Sequence, residues 1–144
     1  MKPQLVVWFD YLFWLGVLAA VCGLYLNFDL ITGSVADVPG ARAGAVVGGI
    51  LGFSVTLGLY ALGWFFISRK GSKIAHWIFT LITGAVLAFT VFGTLMAGFQ
   101  FGVFPAVLDF ARFGMWFLGA VLLFLPEARP WFDKGTPNVP DTFD

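Results

Sequence analysis

The sequence predicts an all-α integral membrane protein, an antiparallel four-helix bundle with both termini in the cytoplasm. Three observations predict it: four near-continuous apolar runs, a shortage of charge, and a one-sided placement of Lys and Arg. Charged residues are 11% of the 144, against 60% hydrophobic and 19% aromatic, where a soluble domain is nearer ~25% charged. So little polar surface makes lipid the expected solvent. The apolar runs do not alternate, which argues against barrel strands. Backbone in hydrocarbon must also pair its own N–H and C=O groups, which a helix does within one segment.

A spanning helix needs about 20 mostly apolar residues. The first candidate is LVVWFDYLFWLGVLAAVCGLYL, residues 5–26. Its apolar stretch is long for a signal core, so a retained helix is expected. The second span is 43–67, the third 74–99 and the fourth 105–125. Pro105 suits a first helical turn, where a missing N–H leaves nothing unpaired, and Pro126 opposes continuation of the fourth helix. The spans make up one domain, residues 1–126.

The links differ in character. Residues 27–42 hold Asp29, Asp37, Pro39 and Gly40 and are expected to be irregular. SRKGSK, residues 68–73, reads as a tight basic turn in which Gly71 is free to take positive φ. The link around GFQFGVF carries one strongly polar side chain, Gln100, expected in the headgroup zone. The tail 127–144, with Pro130, Pro137 and Pro140, is expected to be extended or disordered, pinned by Trp131 and Phe132.

Cytoplasmic loops carry the excess of Lys and Arg. An inward amino terminus puts Lys2, Arg69, Lys70, Lys73, Arg129 and Lys134 inside and only Arg42, with Arg112 if it reaches water, outside. Trp8, Trp64, Trp77 and Trp131 then fall at the inner interface, where amphipathic indoles prefer to sit. A multi-pass membrane protein is expected, with the lipid bilayer as first partner. A formal net charge of zero offers no basic field to nucleic acid.

The fourth run contains Asp109 and Arg112. Fourteen uncharged residues separate Arg112 from Glu127 and cover about 21 Å of helix. With hydrocarbon about 30 Å thick, Arg112 sits roughly 9 Å below the outer boundary of an upright helix. Side chains lean toward the helix amino terminus, so the guanidinium can snorkel outward. Asp109, at i−3, can pair with it, and Trp116 one turn below can offer a ring face. Two readings stand: an end-of-helix ion pair that sets the depth of the span, or a polar ligand site made of Asp109, Arg112, Gln100 and Trp116.

Gly44, Gly48, Gly52 and Thr56 form a four-residue-spaced stripe on the second helix. Gly16 with Ala20, Gly84 with Ala88 and Gly93 with Ala97 repeat it more weakly. Such faces let helices approach closely in lipid, either inside one bundle or at a seam with a second copy or another membrane protein. Asp10 reads as an interfacial acid paired with Arg69 or Lys73, and His76 as an interfacial residue. Cys22, the lone cysteine, reads as a small apolar helix residue. No metal site, no cofactor and no catalytic constellation is expected.

In ISRKGSKIAHW (67–77), LFLPEARPWF (123–132) and the opening MKPQLVVWFDYLF the chain resembles small four-helix inner-membrane proteins of alphaproteobacteria, seen as hypothetical proteins. The shared features are the Met-Lys-Pro start with an aromatic first helix, the basic second turn and the Pro–acid–Ala–Arg–x–Trp–Phe ending. The resemblance implies class and location and carries no activity and no site. The function expected is that of a non-enzymatic accessory or interaction protein, associating through the small-residue face of the second helix or through the basic inner surface with anionic lipid. The alternative is a small carrier or binding protein for an amphipathic or anionic ligand at the outer end of the bundle.

Overall fold

In the computed structural model the described residues are 2–33, 41–97 and 103–133, and all their regular structure is helical. Four long helices, α1 (Gln4–Gly33), α2 (Ala41–Ser68), α3 (Lys73–Ala97) and α4 (Val103–Leu122), precede a 3₁₀ turn (Pro126–Ala128) and a short α5 (Arg129–Phe132). Three are long and apolar enough to cross a membrane, over Gln4–Leu26, Val46–Ser68 and Lys73–Met96. α4 with the piece after it makes a fourth candidate, bent by 77°. The apolar windows lie where the sequence puts them, but α1 outruns its window, so residues 27–33 are helical rather than part of an irregular link. Hydropathy marks what suits hydrocarbon, whereas backbone hydrogen bonding continues as long as the chain permits.

Each helix packs on its sequence neighbour, and α1 packs most extensively on α4, closing the ring. The end that gathers Lys2, the α2–α3 turn and residues 126–133 is called here the near end. Phe13 of α1 lies stacked between Trp64 of α2 (centroids 5.5 Å, planes 16° apart) and Trp116 of α4 (5.7 Å, 19°). Tyr60 then lies against Trp116 at 4.3 Å, and Phe79 sets its edge on Phe9 and Tyr60. One glycine makes this possible. A Cβ on Gly16 would fall 2.2 Å from Nε1 of Trp116, so the indole rests directly on the α1 backbone and donates to the Phe13 carbonyl at 2.9 Å.

Burial is uneven along the bundle. Among the described side chains α2 has none buried before Tyr60, and α3 none after Thr83. The α1–α4 pair stays close further out, through buried Ala20 and through Gly23 facing Leu108. The near half is therefore packed by all four helices, while the described side chains in the far halves of α2 and α3 are exposed or only half-buried. Among the described residues nothing lies within 4 Å of where a Cβ would sit on Gly44, Gly48 and Gly52, so the stripe does not pack on the described part of the bundle. Gly93 is equally open, and the close approaches lie instead at Gly16, Gly63, Gly84 and Gly119.

The near end is tied by polar contacts. Gly71 adopts φ +62° and ends α2, its N–H and that of Ser72 returning to the carbonyls of Ile67 and Phe66. Asp10 is paired with neither Arg69 nor Lys73. Lys2, on the strand of chain just before α1, reaches it at 2.8 Å, and the Trp64 indole takes its other oxygen at 2.8 Å. Lys2 also donates to buried Ser68, and Lys73 pairs instead with Asp133.

The start of the tail is helical, not extended. Pro126 has no N–H to continue α4, the last turn tightens into i→i+3 bonds, and the chain re-enters a 3₁₀ turn and α5 across the near end. Trp131 and Phe132 do pin it: the indole donates to the Ile67 carbonyl at 2.9 Å and Phe132 is buried. Residues 134–144 lie outside the described residues.

Gly16→Val is expected to destabilise the bundle by about 1–3 kcal/mol, the usual range for overpacking, read as a lowered melting temperature in detergent. Gly48→Val, on the open stripe, is expected to leave the melting temperature of the monomer unchanged. Equal effects would contradict the placement of the close contact.

Candidate functional site

The charged pair of α4 turns toward the bundle. Asp109, Arg112, Trp116 and Ala120 follow one another at three- and four-residue spacing, and Trp116 and Ala120 are buried in the core. Arg112 therefore stands on the core-facing stripe, one turn beyond the aromatic cluster toward the far end. Its Nη2 meets Asp109 Oδ1 at 3.1 Å, with the two side chains 23% and 40% exposed. The pair is thus partly sheltered, and its acid keeps access to the surroundings. The guanidinium lies 4.4 Å from the ring centroid of Phe113. Phe113, not Trp116, gives the cation its ring face; the Trp116 indole turns its N–H edge to Gly16 and the Phe13 carbonyl and lies against Phe13 and Tyr60. Trp116 forms the floor below the pair. Gln100 lies outside the described residues.

Among the described residues, buried Nε of Arg112 has no hydrogen-bond partner, and the Tyr60 hydroxyl, close to Thr83, makes no hydrogen bond of good geometry. Leaving such a group unpaired costs about 1–3 kcal/mol. Tyr60 reaches the same region from α2, beside Thr83 of α3 and within electrostatic reach of Arg112. Thr83 itself is fully buried and donates to the Phe79 carbonyl at 2.7 Å. Sequence reading missed Tyr60 and Thr83. A mid-span hydroxyl in an apolar run is the available signal, and it does not say which helix face the residue occupies.

The other residues singled out have structural partners. Asp10 accepts from Lys2 and Trp64, as described above, so both its oxygens are engaged. His76 is buried rather than interfacial. Its Nε2 faces the Ala120 carbonyl at 2.8 Å and must be the protonated nitrogen, since a carbonyl only accepts. The ring stacks on Phe132 with centroids 5.1 Å apart and planes 11° apart. It thereby caps the end of α4 where the helix breaks. Cys22 is exposed on α1. Along α3 the hydroxyls of Thr80, Thr83, Thr90 and Thr94 each return to the carbonyl four residues back, so they are satisfied within the helix.

Between α2 and α3 a groove of about 470 Å³ opens laterally, lined by Thr56, Leu59, Gly63, Phe79, Ile82 and the Tyr60 ring among others. Thr56 belongs to this groove rather than to the open glycine face. Among the described residues no three His, Cys, Asp or Glu side chains come together as a metal site would need. The chain matches no protein-family profile, no curated protein and no solved structure.

Proposed function

We propose that the chain is a multi-pass protein of the bacterial inner membrane, with both termini cytoplasmic, that works without catalysis by associating with a second membrane-embedded surface through the far half of α2. The observation that carries this reading is the openness of one face of that half-helix: among the described residues nothing lies within 4 Å of where a Cβ would sit on Gly44, Gly48 or Gly52. In hydrocarbon, apolar side chains gain nothing from hiding from lipid, so helices associate through close backbone packing, and small residues permit it. A bare glycine face is thus a surface on which a neighbouring helix gains contact that lipid tails supply less well.

Membrane insertion is supported by large exposed apolar residues on every long helix, Leu18, Leu59, Leu81, Phe89 and Val107 among them. The near end, with Lys2, Arg69, Lys70, Lys73 and Arg129, is the cytoplasmic one on the charge rule. The resemblance to alphaproteobacterial inner-membrane proteins supports the same location. The partner is a second copy or another membrane protein. Crosslinking in native membranes is expected to capture an adduct that Gly48→Leu weakens several-fold, with tags on both termini reached only from the cytoplasmic side. Unchanged crosslinking would remove the α2 face, and tags in opposite compartments would remove the topology.

A second reading, a carrier or binding protein for an anionic ligand, is favoured by the bundle-facing Arg112 with its unpartnered Nε. Nε–H and the Tyr60 hydroxyl can both donate to an anion entering from the far end. Proteoliposomes are expected to take up chloride or a short carboxylate faster than empty vesicles, and Arg112→Ala to abolish the difference. Influx equal to that of empty vesicles would dismiss the carrier.

A further inference from the structure

We propose that the near end holds a binding site for a phosphate-bearing anion, supplied by an anionic phospholipid, in the cleft between the first turn of α3 and the folded-back C-terminal segment. The proposal rests on the membrane reading above but uses neither the α2 face nor Arg112. The cleft has a volume of about 270 Å³ and its lining includes Lys73, His76, Trp77, Arg129, Phe132 and Asp133. Unlike the apolar α2–α3 groove, it brings cations from two separate elements together, Lys73 from the start of α3 and Arg129 from the start of α5.

The charge count favours an anion. Among the described residues Asp133 is the single acid in the lining, and it is already paired with Lys73. Arg129 is exposed and makes no ion pair among the described residues. Counted over the described residues, the cleft keeps one uncompensated positive charge, and it is carried by a guanidinium, whose planar fork matches phosphate oxygens. Lys73 is also the first residue of α3, so the positive end of that helix dipole adds to the same field. The floor is rigid: His76 is 5% exposed, held to the Ala120 carbonyl and stacked on Phe132.

The rim decides the source of the phosphate. Trp77 and Phe124 meet edge to face at 4.9 Å at the mouth, and both remain exposed. On the same helix Ile74, Ile78 and Leu81 are exposed as well, so the cleft opens onto a continuous apolar surface. A charged head with a hydrocarbon tail satisfies both parts at once, whereas free phosphate uses only the cations. An indole at the mouth suits the headgroup level of a bilayer.

The test is lipid retention by the full chain in mild detergent, counted by native mass spectrometry with phosphatidylglycerol, phosphatidylcholine and inorganic phosphate as probes. Phosphatidylglycerol is expected to be preferred over phosphatidylcholine, with the preference falling roughly fivefold for each cation removed in Lys73→Gln and Arg129→Gln. Lys70→Gln, on the neighbouring turn but outside the cleft, should leave it unchanged. Both cleft side chains are exposed, and a melting curve for each variant separates lost binding from lost folding. Phosphate binding that needs Arg129, without any preference among lipids, would keep the anion site and overturn its lipid source. Equal retention of both lipids with no phosphate binding, or a preference that survives both substitutions in a folded protein, would overturn the site. A chain monodisperse in plain buffer would instead defeat the membrane reading, and the phosphate titration would still report on the cleft.

Discussion

The seat of Trp116 on Gly16 is the contact on which the rest of the arrangement depends. It brings the α4 backbone close to α1, hands the indole N–H to the Phe13 carbonyl and leaves the ring as a platform for Phe13 and Tyr60. Through Phe13 the same stack reaches Trp64 of α2, and through Tyr60 it reaches Phe79 of α3. All four helices thus converge on one aromatic column. Single atom contacts are worth only about 0.1–0.2 kcal/mol, but stacked rings and an indole edge against a bare backbone make many of them. That matters in lipid, where water expulsion no longer drives helices together.

Because this column lies in the near half, the two ends of the bundle have different characters. Near the termini, polar groups are engaged: Asp10 by Lys2 and Trp64, Ser68 by Lys2, His76 by the frayed end of α4, and the Ile67 carbonyl by Trp131. Further along, buried Nε of Arg112 has no partner among the described residues, and the far half of α2 exposes its glycines. A well-closed end beside an under-packed one assigns stability to the first and leaves the second as the place where something else is met. The proposed association and the alternative anion reading both draw on that second end.

Much of the fold was legible in the sequence. Span positions follow from hydropathy because the apolar runs are uninterrupted, and Gly71 and Pro126 mark their turns by chemistry that needs no tertiary context. The Asp109–Arg112 pair was legible too, since i,i+3 spacing along one helix fixes the distance between the side chains. What depended on three dimensions was not. The four-residue glycine stripe of α2 signals a close-packed face, yet the intramolecular approaches fall on Gly16 and Gly84, which the weaker small-residue pairs marked, and on Gly63, which faces Phe79 and which no spacing marked. The partner of Asp10 came from the chain before α1 rather than from the basic turn. His76 looked interfacial because its neighbours are basic, but the folded-back segment after Pro126 covers it. The depth of Tyr60 within the core depended on how α2 is rotated, which hydropathy does not set.

The central claim is that all four helices are clamped at one end, while toward the other only the α1–α4 pair keeps buried side chains. Paired spin labels in lipid nanodiscs, with Cys22 replaced by Ala, measure it directly: Leu62 with Leu118 across the near half, Leu51 with Val107 across the far half. All four positions are exposed, so labels there leave the core intact. The account predicts a short, narrow distance distribution for the first pair and a longer, broader one for the second. Two equally short and narrow distributions would contradict it.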